Sequence, residues 1–184
     1  MKILMFAGSL RKESLNKKLL AEIARLPVMK DHEIRIVDLQ KSDWPIYDGD
    51  VEESSGVPAA ARELSKEIAD ADALIVSSPE YNGSIASSLK TAIDWVSRIK
   101  PIAFNAKPML LFAASPGPLG GTRGLWHTRV PFEVMGTRLY PEMYGLQKAA
   151  DAFDAEGRLK DEKVRQTVAG LVEKFLDYAG KLRS

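Results

Sequence analysis

The sequence predicts an α/β protein in which a five-stranded parallel sheet lies between two layers of helices, a three-layer α/β/α arrangement. Strand patterns alternate with helix patterns along the chain, which is typical of parallel sheets built from strand–helix–strand units. Three strand patterns are also continuously apolar, at residues 3–7, 73–77 and 109–114. Strands that are apolar on both faces need helices on both sides of the sheet.

The first half of the chain supplies the first two strands and two helices of this pattern. Residues 15–26 place Leu and Ile at helical spacing, and residues 33–38 alternate polar with apolar side chains, which predicts a half-exposed edge strand. Residues 40–57 are rich in Asp, Gly, Ser and Pro and predict a long loop, of a kind that is usually functional or mobile. Pro58 suits the first position of a helix that reaches about residue 70.

The second half predicts two further helices and a weak last strand. Residues 85–98 and 123–135 have helical spacing. Pro131 should kink or split the second of these helices, because it lacks an N–H donor. Residues 137–140 predict a short strand, and residues 142–157 predict irregular surface.

The C-terminal helix has the clearest amphipathic pattern in the chain. Its apolar stripe, which should pack on the sheet, consists of Val164, Val168, Leu171, Val172, Phe175 and Leu176. Five strands fit one domain, residues 1–184, with the flavodoxin-like strand order 2-1-3-4-5. In such sheets a ligand binds beyond the carboxyl ends of the strands, where the strand order reverses.

The composition excludes several classes of function. Lys and Arg number 26 against 25 Asp and Glu, so no strong field favours nucleic acid or an anionic membrane. The chain has no cysteine, so thiolate chemistry is excluded and any redox chemistry needs a cofactor. No apolar run approaches the length of a membrane span, and the N-terminus has no cleavable apolar stretch. We therefore expect a cytoplasmic protein with small-molecule substrates.

The turn after the first strand, residues 8–16, is a candidate anion site. The first N–H groups of a helix have no intrahelical partners and carry partial positive charge, so they can bind a phosphate directly. Ser9, Ser14 and Asn16 add polar donors, and Arg11 can make a charge-assisted contact. Taken alone, a capped helix with solvated side chains explains this turn equally well.

Two further polar loops follow the other buried strands, at residues 78–84 and 115–122. The predicted fold brings all three loops to one edge of the sheet, which is the strongest indication of a ligand site. Glu13 stands where a nucleoside triphosphate loop needs its second Gly, and the Gly spacing of dinucleotide-binding turns is absent. The donors therefore suit the terminal phosphate of a mononucleotide, and the Gly-rich third loop allows close approach to a flat ring.

Three motifs resemble those of the NAD(P)H-dependent FMN reductases, a family of flavodoxin-like fold that includes quinone, chromate, azo-dye and ferric-complex reductases. The first motif is Gly8-Ser9-Leu10-Arg11 with Ser14 and Asn16. The second is Pro79-Glu80-Tyr81-Asn82-Gly83-Ser84, followed by Leu89-Lys90 and Ala92-Ile93-Asp94-Trp95. The third is Ser115 with Gly117, Gly120 and Gly121. The residues after the third motif match the family only in outline.

The resemblance implies which residues bind the cofactor. The FMN phosphate would be held by Ser9, Arg11, Ser14 and Asn16. The isoalloxazine ring would be lined by Pro79, Glu80, Tyr81, Asn82 and Gly83, with Ser115, Gly117 and Gly120 at its other edge. The family's chemistry is hydride transfer from NAD(P)H to FMN and then to a small-molecule acceptor, with ping-pong kinetics. The resemblance implies neither a catalytic side chain nor a bound metal ion.

The resemblance also implies a homodimer or homotetramer. In the family, the helices that follow the second and third loops form the dimer contact. In this sequence those helices are residues 85–98 and 121–135, and Trp95 and Trp126 would anchor the interface. Two other classes remain open, namely a flavodoxin-like FMN electron carrier and a flavin-free sensor or scaffold of the same fold.

Several residues outside the motifs admit two interpretations. His127 could donate a proton or contact NAD(P)H, although a lone His is more often structural. Trp44 and Tyr47 would either cover a substrate pocket or attach the long loop to the core. The acidic residues between positions 48 and 53 fit no calcium loop, so we expect them to form a hydrated surface.

Overall fold

The computed structural model describes residues 1–41 and 44–183, and within them the main sheet has six strands. Those strands are β1 (Lys2–Ala7), β2 (Glu33–Val37), β3 (Ala73–Ser77), β6 (Pro108–Ala114), β7 (Arg138–Leu139) and β8 (Tyr144–Leu146). A separate hairpin consists of β4 (Glu80–Tyr81) and β5 (Ser84–Ile85). The helices are α1 (Leu15–Ala24), α2 (Gly49–Ser55), α3 (Ala59–Asp70), α4 (Ser87–Ser97), α5 (Thr122–Val134) and α6 (Glu162–Lys181), with short 3-10 turns at Pro27–Met29 and Leu39–Lys41.

The strands of the main sheet pair in parallel in the order β2, β1, β3, β6 and β7. This is the 2-1-3-4-5 order, so the predicted α/β flavodoxin-like fold is confirmed. The fifth position is shared, because β7 pairs with the start of β6 and β8 pairs with its end. The prediction of irregular surface is therefore wrong at Tyr144–Leu146. That strand is short and contains Gly145, which weakens its strand signal.

The apolar patterns of the central strands place a core on each face of the sheet. Ile3 and Met5 of β1 pack with α1 and α6, whereas Leu4 and Phe6 pack with α3, α4 and α5. All residues of β3 and β6 are buried, while β2 is partly exposed, as its alternating pattern predicts. The two helical layers leave the carboxyl ends of the strands open.

Three helices differ from the prediction. α2 lies within the predicted long loop, where the side chain of Asp48 caps it. α4 begins at Ser87 rather than at residue 85, because Ile85 belongs to the hairpin. α5 continues through Pro131, which lies in its last turn, so the helix is not split there.

Candidate functional site

The carboxyl ends of β1, β3 and β6 open onto one cleft, beside the point where the strand order reverses. The cleft encloses about 540 Å³, including space open to solvent. All three polar loops contribute to its lining, which consists of Ser9, Arg11, Ser14, Leu15, Asn16, Pro79, Glu80, Tyr81, Ala114, Ser115 and Pro116. The other predicted site residues, Asn82, Gly83, Gly117 and Gly120, lie in the same loops but outside this lining.

The first loop presents the start of α1 to the cleft. The Oγ of Ser14 accepts the N–H of Lys17 at 3.3 Å and so caps the helix. The N–H groups of Leu15 and Asn16 have no carbonyl one turn earlier in the helix, so they are available to an anion. The cap and the anion site, which the sequence left as alternatives, are therefore compatible features of the same turn.

Ser9, Arg11 and Gly8 complete this end of the cleft. Ser9 is buried, and its Oγ accepts the N–H of Arg11 at 3.3 Å. The guanidinium of Arg11 is exposed, and no carboxylate among the described residues forms an ion pair with it. Gly8 lets the loop lie against α4, because a Cβ at Gly8 would lie 2.7 Å from the Cβ of Leu89. This end of the cleft thus carries a positive charge that makes no ion pair within residues 1–41 and 44–183.

Asn16 fastens α1 to the ends of two strands. Its Nδ2 donates to the carbonyl of Ala114 at 3.0 Å. Its Oδ1 accepts the N–H of Ala114 at 3.0 Å and the hydroxyl of Ser77 at 2.8 Å. Both lone pairs of this oxygen are therefore used within the protein. The Nδ2 group has a second N–H, so Asn16 offers an anion this N–H and its backbone N–H.

The second loop is folded as a hairpin, which was not predicted from the sequence. β4 and β5 pair across Asn82 and Gly83, whose φ angles of 51° and 77° are typical of a two-residue turn. Asn-Gly between two strands is the strongest short-range signal for such a turn, so the sequence did contain this information. The hairpin presents Pro79 and Tyr81 to the cleft, and Tyr81 is 43% exposed.

Glu80 lies between those two residues, but its carboxylate is bound by α5. Oε1 accepts a hydrogen bond from Nη2 of Arg123 at 2.7 Å, and Oε2 accepts the N–H of Gly124 at 3.0 Å. Burial alone would raise the pKa of Glu80, but the N–H of Gly124 and the guanidinium of Arg123 outweigh burial and hold this pKa below its usual value. The side chain is therefore charged at neutral pH, with both carboxylate oxygens bound by α5. Neither Arg123 nor Gly124 was singled out from the sequence.

The third loop is supported by β8. Ser115 donates its N–H to the carbonyl of Leu146 at 3.1 Å, and its Oγ accepts the N–H of Gly117 at 3.2 Å. Gly120 has a φ of 62°, and a Cβ there would collide with the carbonyl of Gly145. Gly117 and Gly120 therefore shape the loop. Gly145 is a supporting residue that was missed because its strand was not predicted.

Comparison with known proteins identifies the family. Residues 1–151 match the sequence profile of a family described as NADPH-dependent FMN reductase. The chain belongs to the NADPH-dependent FMN reductase family. It is 36% identical over 184 residues to an NAD(P)H-dependent FMN reductase of Pseudomonas aeruginosa, covering 99% of this chain and 97% of that protein. It is 33% identical over 178 residues to a 2-hydroxy-1,4-benzoquinone reductase of a Burkholderia species, covering 95% and 94%.

A solved structure of a related enzyme has the same fold. FerB, a flavoenzyme NAD(P)H:(acceptor) oxidoreductase from Paracoccus denitrificans, superposes with a TM-score of 0.84 at 30% identity, covering 98% of this chain and 97% of that chain. The NADPH-dependent FMN reductase family comprises oxidoreductases with FMN as cofactor and NAD(P)H as co-substrate. The predicted family, enzyme class and cofactor are thus confirmed.

The cleft suits the cofactor of the NADPH-dependent FMN reductase family. The N–H groups at the start of α1 and the exposed guanidinium of Arg11 are donors of the kind that a phosphate requires. At the other end, the lining by Pro79 and Tyr81 offers apolar surface to a flat ring. The two ends of the cleft therefore match the charged and the planar part of FMN.

One prediction about the subunit interface is wrong. Trp95 is 0% exposed, and its Nε1 donates to the carbonyl of Pro45 at 2.7 Å, so it lies in the core and cannot anchor a second subunit. Trp126, in contrast, is 58% exposed on α5. A Trp on an apolar helical stripe is buried or exposed according to the element that covers it, which the pattern alone does not reveal.

Trp44 and Tyr47 attach the long loop to the core, which is one of the two roles that the sequence allows. The ring of Tyr47 packs edge-on against Trp95, with centroids 5.0 Å apart. The Nε1 of Trp44 donates to the carbonyl of Leu39 at 3.0 Å. Neither residue lines the cleft of this FMN reductase family member.

Residues 48–53 make ordinary structural contacts. Asp48 caps α2, and Glu52 binds the guanidinium of Arg98 at 2.9 Å. Within residues 1–41 and 44–183, no three His, Cys, Asp or Glu side chains are grouped so that they could hold a metal ion. In the same ranges, none of the helices is both long and apolar enough to cross a membrane.

Proposed function

We propose that this chain is an FMN-dependent NAD(P)H:quinone reductase, formed by one flavodoxin-like domain over residues 1–184. The observation that carries the proposal is the cleft, which joins the start of α1 and the exposed Arg11 to the space between the second and third loops. We propose quinones as the acceptors because several relatives are named quinone reductases. Chromate, ferric complexes, azo or nitro compounds and free flavin are the other candidate acceptors.

In this proposal the FMN phosphate binds at the start of α1. Arg11 supplies a charged contact, Ser9 and Ser14 supply hydroxyl groups, and Leu15 and Asn16 supply backbone N–H groups. The side chain of Asn16 fastens α1 to the sheet, and the second N–H of its Nδ2 is a further donor for the phosphate.

The ring binds between the second and third loops. Pro79, Tyr81 and Ser115 face the cleft and would contact the ring. The loop conformation around them is set by the remaining predicted residues, which are Glu80, Asn82, Gly83, Gly117 and Gly120.

Bound FMN supplies the hydride-accepting and hydride-donating chemistry that the side chains of this chain lack. The chain binds and orients the reactants and stabilises charge. Backbone N–H groups of the second and third loops act as preorganised dipoles for negative charge at the ring edge. The open side of the cleft beside Tyr81 admits NAD(P)H and the acceptor in turn, so we expect ping-pong kinetics. No side chain is required as a nucleophile or an obligatory acid.

We also propose that the chain forms a homodimer, in which the second subunit covers one face of α5. Trp126, Val130 and Val134 follow one another at four-residue spacing and are 58%, 60% and 83% exposed. An exposed apolar stripe of this kind is typical of a protein interface. A homotetramer of such dimers is the alternative.

A cytoplasmic location is also part of the proposal, because NAD(P)H is a cytoplasmic reductant.

The test is anaerobic reduction of the purified protein. Mass spectrometry first identifies the released cofactor as FMN. Mixing with NADPH or NADH without oxygen should bleach the yellow colour, and adding a quinone should restore it within the time of one turnover. The same trace is then recorded with chromate, ferric, azo and nitro acceptors.

Each contrary result corresponds to one of the alternatives. A protein that binds FMN but stays yellow with both nicotinamides would be an electron carrier. A protein that takes up no FMN would be a flavin-free sensor or scaffold. Reoxidation by the other acceptors but not by quinones would contradict the proposed acceptor class.

A further inference from the structure

The N-terminus of α5 lacks a cap from its own loop. The residue before the helix is Gly121, which has a φ of 89° and no side chain that could accept the first N–H groups. α5 follows directly on the third loop of the cleft. The N–H of Thr122 donates to the carbonyl of Leu119 in the loop at 3.1 Å, but the next N–H groups, of Arg123 and Gly124, need an acceptor from elsewhere in the chain.

Glu80 of the second loop is that acceptor. Its Oε2 accepts the N–H of Gly124 at 3.0 Å, and its Oε1 accepts Nη2 and Nε of Arg123 at 2.7 and 3.1 Å. The Glu80 side chain is only 11% exposed. Exposed ion pairs contribute little to stability, but this carboxylate is shielded, held by two donor groups and placed at the positive end of a helix.

The hairpin also lies against α5 without intervening side chains. A Cβ at Gly124 would lie 2.9 Å from the Cβ of Glu80 and 3.0 Å from the carbonyl oxygen of Ser84. The Oγ of Ser84 lies 2.9 Å from Nδ1 of His127, and Oγ1 of Thr128 donates to Ser78 at 3.1 Å. The contact between the second loop and α5 is thus continuous over two turns of the helix.

We propose that Glu80 is a positioning residue, which fixes the second loop against the third by capping α5 and so holds the flavin end of the cleft in its binding geometry. The inference rests on the proposed function, since it assigns Glu80 a role towards FMN. Pro79 and Tyr81, on either side of Glu80, line the cleft, so any movement of this anchor moves both of them. The carboxylate itself acts on the ring only through the loops that it joins.

The test compares Glu80→Ala, Glu80→Gln and Arg123→Ala with the control Glu67→Ala. Glu67 forms a similar ion pair with Arg35, at 3.0 Å, but belongs to α3 and does not line the cleft. Three quantities are measured: the dissociation constant of FMN, the midpoint potential of bound FMN, and amide hydrogen exchange of the hairpin in the apoprotein.

We expect Glu80→Ala to raise the dissociation constant about tenfold, the factor for loss of one charge-assisted hydrogen bond. Glu80→Gln should have a smaller effect, because its amide oxygen still accepts the N–H of Gly124. Arg123→Ala should also have a smaller effect, since the cap remains. The midpoint potential should fall in the same order, because the reduced ring depends more on well-placed N–H groups than the oxidised ring does. Hairpin exchange should accelerate, and Glu67→Ala should match the wild type in all three measurements.

Unchanged FMN affinity, potential and hairpin exchange in Glu80→Ala would overturn the inference. So would a variant that only melts at a lower temperature while its affinity and potential stay at wild-type values, because that is the result of a purely structural ion pair. A wild-type protein that binds no FMN would instead refute the proposed function. In that case, amide hydrogen exchange of the hairpin in the apoprotein would still show whether Glu80 holds the hairpin against α5.

Discussion

The two ends of the cleft are built from different kinds of contact. At the end where we propose that the FMN phosphate binds, called the phosphate end, Ser9 and Ser14 bind N–H groups that are two and three residues away in the chain. At the ring end, Glu80 binds Gly124, which is 44 residues away, and Ser84 contacts His127 across 43 residues. The serine contacts of the phosphate end therefore lie within one local turn, which Asn16 fastens to the sheet, whereas the ring end exists only when α5 is packed. Substitutions at the phosphate end should therefore disturb mainly that turn, whereas substitutions at the ring end should disturb several packed segments together.

Gly120→Ala is expected to have the largest effect, because the ring end depends on close backbone packing. The new Cβ would collide with the carbonyl of Gly145 in a left-handed conformation, which should cost at least about 3 kcal/mol of unfolding free energy. Chemical denaturation of the apoprotein measures this cost. Gly170→Ala is the control: it lies inside α6 with nothing within 4 Å, so it should stabilise the protein by about 0.5–1 kcal/mol. A loss of less than about 0.5 kcal/mol in Gly120→Ala would contradict this account of the third loop.

Asn16→Ala tests the side chain that fastens α1, at the phosphate end, to the ends of two strands. It leaves the N–H and carbonyl of Ala114 and the hydroxyl of Ser77 without their partner, so we expect a loss of about 2–3 kcal/mol in unfolding free energy. The measurement is again chemical denaturation. Asn105→Ala, at an exposed position, should stay within about 0.5 kcal/mol of the wild type. Equal stability of the two variants would show that the Asn16 side chain does not hold α1 to the sheet.

Val130→Glu tests whether a second copy reinforces the ring end. Val130 is 60% exposed at the centre of the α5 stripe, so a charge there should raise the dimer dissociation constant at least about tenfold without unfolding the chain. Sedimentation equilibrium gives the constant. Ile46→Glu is the control, since Ile46 is 83% exposed but lies outside α5. Loss of the dimer in Ile46→Glu but not in Val130→Glu would place the interface elsewhere.

The smallest expected effect is the pH dependence of the Glu80 cap. The pKa of Glu80 is held below 4.5, so its contribution to stability is fully present above pH 4.5 and is lost as the pH falls through the folded-state value. The stability difference between the wild type and Glu80→Gln should therefore be constant at neutral pH and shrink under acid. A difference that grows on acidification would contradict the assignment of a depressed pKa.

The sheet order and the phosphate end could be predicted because their signals are local. β1, β3 and β6 are apolar on both faces, and the capping Ser14 stands directly before a helical pattern. β8 could not be predicted in the same way, because three residues with a central Gly carry no periodic pattern. Its position depends on pairing with the end of β6.

The ring end could be predicted only in part, because its contacts join distant segments. Pro79 and Tyr81 belong to a motif and line the cleft, but nothing beside them in the chain indicates that Arg123 and Gly124 bind their neighbour Glu80. Trp95 is a similar case, since the helical pattern does not reveal whether a Trp faces the core or another subunit. Local patterns thus identified the loops, and tertiary packing determined what each side chain does.

The central claim is that the start of α1 and Arg11 bind the phosphate of FMN. The most direct measurement compares the dissociation constants of FMN and riboflavin, which lacks the phosphate, in the wild type, Arg11→Ala and the control Lys12→Ala. We expect the wild type to prefer FMN strongly, Arg11→Ala to lose about 10- to 100-fold of that preference, and Lys12→Ala, whose side chain does not line the cleft, to retain most of it. Equal binding of FMN and riboflavin by the wild type, or an Arg11→Ala variant with the full preference, would contradict the claim.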